Sequence, residues 1–211
     1  MTKPLTFRYL LAGILLTFIV AIAIPEPSIG APLRVALLGG LLLAAIRTRR
    51  RAGRLGTPAF VVTFALFAAT LFASLFGTAT ALTVISQSAT VVLTVAAIAI
   101  LIQTLLGLGV VNGSAVNGVL CIYLLLALFF GALNEIFAAT VPHYLQGADP
   151  ANTSTMLYFS VITLTTVGYG DITPTTGLAR AVASTEALTG QLYLVSVVAA
   201  VVSRYRPSGR A

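Results

Sequence analysis

The stretch Thr165-Thr166-Val167-Gly168-Tyr169-Gly170-Asp171 sets two glycines one residue apart among β-branched and aromatic residues. An ordinary extended strand turns successive carbonyls to opposite sides. For consecutive carbonyls to face one way, the chain must take unusual dihedrals at every second position, and glycine reaches these without steric cost. Gly168 and Gly170 occupy such alternate positions. Thr166 can add its hydroxyl oxygen at one end of the series, while Val167 and Tyr169 turn to the other side and brace the loop from behind. A surface turn is the plain alternative for a bare Gly-x-Gly, so the surrounding residues must decide.

Upstream lies Tyr158-Phe159-Ser160-Val161-Ile162-Thr163-Leu164, and downstream Ile172-Thr173-Pro174. The run from Tyr158 to Pro174 resembles the pore helix, selectivity filter and filter exit of the potassium channel family, in which backbone carbonyls replace the water shell of the ion. A match at seven specified positions arises by chance about once in a billion windows, and the chain offers about two hundred, so a chance turn is a poor account.

The resemblance implies K+ bound at Thr166, Val167, Gly168 and Tyr169, with Gly170 completing the filter. Asp171 resembles the family's outer-mouth aspartate, expected to accept a hydrogen bond from Tyr158. Together with Asp149 it would raise the cation concentration at the mouth. Tyr158 and Phe159 resemble the aromatic pair that forms a cuff around the filter. Ile162 stands where some channels place an acidic residue. Gly190 matches the inner-helix hinge glycine, and close packing against a neighbouring helix explains it equally well. The family alignment gives Gln191, Leu194, Val195, Val198 and Val202 as the cavity and lower gate. One chain supplies one filter strand, so the resemblance implies a homotetramer, with K+ as the transported ion and no cofactor.

Composition agrees with a membrane setting. Of 211 residues, 58% are hydrophobic and only 8% charged, and the mean hydropathy is +1.04, whereas a soluble domain carries roughly 25% charged residues. The 12 Lys+Arg against 5 Asp+Glu give a net charge of +7. These bases are clustered and read as orienting the chain in a bilayer, not as a nucleic-acid surface. They are almost all arginine, a weak pointer to a GC-rich bacterial genome. The single cysteine, Cys121, lies in an apolar run and reads as a small buried hydrophobe without a disulfide.

A crossing needs roughly 20 apolar residues. Six candidate spans follow: about Phe7 to Ile24, Ala31 to Arg47, Pro58 to Phe76, Ala81 to Leu106, Val119 to Phe137, and Leu178 to Ser203. The first could imitate a secretory signal but reads better as a retained span ending at Pro25-Glu26-Pro27. The second is the least secure, because Arg34 and Arg47 would have to snorkel toward opposite interfaces. With the filter loop outside, Lys3, Arg8, the Arg47–Arg54 cluster and the terminal arginines fall in the cytoplasm, as the positive-inside rule requires. Glu26, His143, Asp149 and Asp171 fall outside. The predicted fold is therefore an all-α integral membrane protein of the plasma membrane, with six helices, both termini cytoplasmic, and a re-entrant pore helix and filter between the last two. Residues 1–110 form a four-helix membrane domain and 111–211 the pore domain.

Between Arg54 and Glu135 no residue is charged. A voltage sensor needs about 3–4 gating charges per subunit, so the first four helices do not read as one, and the few residues after Arg206 do not form a ligand-binding module. The expected activity is a leak-like potassium conductance, open to modulation by lipid, tension or pH through Glu186 or Gly190. Glu186 lies one helical turn before Gly190 and so points away from the pore lining; an acid within a span is a functional candidate by default. Its two readings are a hydrogen-bonded structural group behind the filter and a gating group. His143 reads as a solvated loop residue, with pH sensing as the sharper alternative. The runner-up functions are a nonselective or sodium-permeable cation channel and the translocating subunit of a potassium uptake system. The tyrosine disfavours the first, and the single loop with both glycines disfavours the second. No nucleophile–base set, metal-ligand cluster or phosphate loop supports an enzyme.

Overall fold

The computed structural model describes residues 7–24, 26–47, 52–106, 113–148 and 152–199. The chain is almost wholly helical, in the order α1 (Phe7–Ala23), α2 (Pro27–Arg47), α3 (Ala52–Phe76), α4 (Ala79–Leu106), α5 (Gly113–Thr140), β1 (Leu145–Gln146), α6 (Thr153–Leu164), β2 (Thr173–Pro174) and α7 (Gly177–Leu192). A π-helical turn, Tyr193–Val198, continues α7. Four helices are long and apolar enough to cross a membrane, carried on Pro27–Ile46, Pro58–Phe76, Ala79–Leu106 and Ala115–Thr140. α1 has 17 residues and α6 has 12. The molecule is a multi-pass membrane protein.

Local chemistry sets the boundaries. Pro27 opens α2, where a fixed φ and a missing N–H cost nothing. Gly77 closes α3 with its N–H on the Ala73 carbonyl at 2.9 Å, and the Thr78 hydroxyl takes the Ala81 N–H at 3.2 Å to start α4. The expected third span, Pro58–Phe76, is the membrane-capable part of α3, which itself starts at Ala52 and so carries Pro58 inside. A proline removes a single hydrogen bond near a helix start, and membrane helices tolerate this.

α4 packs along α5, α2 packs against both α3 and α4, and α1 fills the groove between α2 and α5. The main core runs without a break from Leu10 and Ile14 through Val35, Leu38, Leu93 and Leu125 to Leu157 of α6. Of the first four helices, α1 packs directly on α6, and α5 packs on it more extensively. α3 lies outermost, with Phe60, Phe64, Phe72 and Phe76 exposed, as a lipid-facing helix requires. Cys121 is buried, its thiol 3.8 Å from the Phe7 carbonyl.

One expectation is overturned. Arg34 does not snorkel: it is only 4% exposed. The cause is the helix start. α2 begins at Pro27 and not near Ala31, so Arg34 sits about 10 Å into the helix, two turns from its end. There it faces the other helices.

Candidate ion-conducting site

The candidate site starts from α6. Asn152 caps this helix, its side-chain oxygen taking the Thr155 N–H at 3.0 Å, as an N-cap should. At the other end the helix hands over to the Thr165–Asp171 stretch by a series of backbone bonds. The N–H of Thr165 donates to Val161 (3.0 Å), that of Thr166 to Thr163 (3.0 Å), and those of Val167 and Gly168 both to Ile162 (2.9 and 3.1 Å). Four consecutive amides are thus spent on α6. Among the described residues no N–H donates to the carbonyls of Thr166 to Tyr169.

The dihedrals complete the picture. Thr166 has φ +60°, Gly168 +52° and Gly170 +81°, so every second residue is left-handed. An alternation of this kind lets successive carbonyls face one side. Thr166 departs from the expectation, since a β-branched residue joins the two glycines in a region it rarely enters. Val167 and Tyr169 are 52% and 73% exposed in the single chain.

A frame surrounds the loop. The Tyr158 hydroxyl donates to Asp171 Oδ2 at 2.7 Å, whereas Phe159 is buried in the chain's own interior. β1 pairs antiparallel with β2, Leu145 opposite Pro174, so the loop after α5 is stitched to the exit of the filter segment. Gly147, with φ +82°, lies where a Cβ would collide with the Asp171 carbonyl. The Thr175 hydroxyl donates to the carbonyl of His143, whose side chain is exposed. This strand pair escapes sequence reading because two-residue strands carry no periodicity.

Behind the loop sits Glu186, fully buried. The Ser160 hydroxyl of α6 contacts its Oε1, and the Asn134 amide of α5 donates to Oε2 at 3.3 Å. The Tyr144 hydroxyl in turn donates to Asn134 Oδ1 at 2.9 Å. Ile162 leaves no acid at its own position, and the carboxyl behind α6 comes from α7 instead. Gly190 packs on the same helix: a Cβ there would run into the Leu164 carbonyl oxygen, which also accepts the Tyr123 hydroxyl at 3.2 Å. Tyr123 stacks on Tyr193 at 5.7 Å between ring centroids. Asn134 and Tyr123 were missed in the sequence, although a polar residue within an apolar span is a readable signal.

Gln191, Leu194 and Val195 lie on the exposed side of α7 and its π-helical continuation. The Val198 side chain, Val202 and Asp149 fall outside the described residues, as do Lys3 and the terminal arginines. Among the described residues there is no group of three or more His, Cys, Asp or Glu side chains suited to a metal ion.

Residues 118–206 match the family model described as "Ion channel". The match begins in α5 and takes in α6, the Thr165–Asp171 loop and α7, which are the elements that build the frame. No curated protein matches the chain. This segment is thus similar to ion-channel domains, which conduct ions passively.

Proposed function

We propose that four copies of this chain form a potassium-selective channel, with Thr166, Val167, Gly168, Tyr169 and Gly170 as the filter and K+ as the transported ion. The alternation of left-handed φ at Thr166, Gly168 and Gly170, with the amides of Thr165 to Gly168 spent on α6, carries this reading. It leaves a row of free carbonyls on one side, which is what a dehydrated cation needs. One such row cannot surround an ion, and a fourfold ring closes it. Asp171, held by Tyr158, supplies negative potential at the outer mouth, and Tyr158 with Phe159 forms the cuff. The C-terminal end of α6 adds the partial negative charge of its dipole toward the ion path.

In this reading residues 111–211 are the pore domain and 1–110 a membrane domain without gating charges. α1, α2, α3, α4, α5 and α7 make six spans, α6 is re-entrant, both termini face the cytoplasm of a bacterial cell, and no cofactor is needed. Gly190 and the π-helical turn after it form the pivot of the inner helix, since a local π turn lets a helix bend.

The deciding experiment is purified protein in a planar bilayer, recorded in potassium and then sodium. Potassium current at least about tenfold above sodium is the expected result, and equal currents would establish the nonselective alternative. Native mass measurement in mild detergent should give four times the chain mass. A conducting dimer would leave the ring two strands short and end the fourfold reading.

Voltage dependence should be shallow. One charge crossing the full field is worth about 2.3 kcal/mol per 100 mV, and α3 and α4 carry no charge beyond Arg54. Open probability measured between about −100 and +100 mV should change little; a steep sigmoid equivalent to several charges per channel would contradict it.

A further inference from the structure

Three charged side chains are buried among the described residues: Arg34, Glu135 and Glu186. Glu186 belongs to the frame behind the filter. The other two lie near the opposite end of α6 and within electrostatic reach of one another. Glu135 Oε2 accepts from Gln87 Nε2 at 2.6 Å, and Oε1 accepts from the Thr153 hydroxyl at 3.0 Å. Gln87 Nε2 is also 3.3 Å from the Thr153 oxygen. Thr153 is the first residue of α6. Arg34 Nη1 is buried and has no hydrogen-bond partner among the described residues. Arg34, Gln87, Thr90 and Thr153 together line a cavity of about 20 Å³, room for one water molecule between them.

We propose that Arg34, Gln87 and Glu135 are positioning residues for the filter, through which α2, α4 and α5 hold the starting turn of the pore helix. The inference rests on the filter reading above. Burying a carboxylate in a membrane protein demands a counter-charge and hydrogen bonds. Here α2 supplies the charge, α4 the amide and the pore helix itself the hydroxyl. Plain packing would be served as well by apolar residues of similar volume, so the polar arrangement marks a specific register between α2, α4, α5 and α6. A helix of 12 residues is marginal on its own, and its placement depends on what grips its ends. Glu186 and the Leu164 contacts grip one end; Glu135 grips the other. Because the filter amides hang on Val161, Ile162 and Thr163, a shift at Thr153 passes along the helix to the carbonyl ladder.

The test uses the full chain in nanodiscs, with hydrogen exchange of the 152–164 segment as one readout and the potassium-to-sodium permeability ratio as the other. Arg34→Met leaves the buried Glu135 without its counter-charge and should speed exchange at this segment about tenfold, and lower the permeability ratio. Arg34→Lys should restore both in part. Arg34→Met combined with Glu135→Gln leaves no lone charge and should lie closer to the wild type than either single change. Wild-type exchange in Arg34→Met, or strict additivity in the double variant, overturns the proposal. If Arg34→Met yields no folded protein, recovery on adding Glu135→Gln supports the pairing and failure to recover overturns it. Exchange does not depend on conduction, so a wild-type channel passing sodium and potassium equally would remove the filter reading and leave the brace standing.

Discussion

Gly168→Ala and Gly170→Ala are each expected to abolish potassium-selective current. The two positions have φ +52° and +81°, and a Cβ at either would meet no atom of the same chain within 4 Å. The penalty is therefore conformational. An L-residue held in this region costs about 1–2 kcal/mol, and in the proposed fourfold ring it would be incurred four times at one ring of carbonyls. The cheapest escape for alanine is to flip its peptide plane. That would turn one carbonyl away from its neighbours and put an N–H donor in its place, facing the ion. Because the frame of Tyr158–Asp171 and β1–β2 lies outside these two residues, folding and assembly should persist. The measurement is paired: native mass to show the fourfold species, and bilayer currents in potassium and sodium. Normal selectivity in either variant would falsify the assignment of the filter.

Much of this site was legible because its chemistry is local. Seven residues of one loop carry the dihedral pattern. The Tyr158–Asp171 bond spans 13 residues and follows from the same motif. What was not legible is long-range. Gln87 meets Glu135 across 48 residues and Thr153 across 66, and only the packing of α4 on α5 brings them together. Arg34 was misplaced for a related reason. Hydropathy alone put the start of its helix near Ala31, and a start at Pro27 turns an interfacial arginine into a buried one. Thr166 shows a third limit. Its left-handed φ runs against the preference of a β-branched residue, and it accompanies the bond from its N–H to the Thr163 carbonyl.

Glu186→Ala is expected to have the second large effect, with Glu186→Gln close to neutral. The Ser160 hydroxyl has one hydrogen and two oxygen neighbours, Glu186 Oε1 and the Ala127 carbonyl at 2.9 Å. Glutamine keeps the shape, accepts from Asn134 through its carbonyl and offers an N–H toward Ser160. Alanine does neither. It strands the Asn134 amide, which otherwise donates at 3.3 Å, in a fully buried setting, and leaves a void between α7 and α6. An unsatisfied buried polar group costs about 1–3 kcal/mol, and the void adds to it in proportion to its volume. Each copy of the chain would bear that loss, so the assembled channel should melt well below the wild type. The functional consequence follows from what Glu186 joins. It ties α7 to α6 through Ser160 and, by way of Asn134 and Tyr144, to the loop after α5. With that tie cut, α7 can move without carrying α6, and the proposed filter loses support from behind. Potassium current in Glu186→Ala should be unstable and decay during recording, while Glu186→Gln holds. Thermal unfolding in detergent and sustained bilayer current are the two readouts. An alanine variant that matches the wild type in both would mean that Gly190 and the Leu164 contact alone couple the inner helix to the filter.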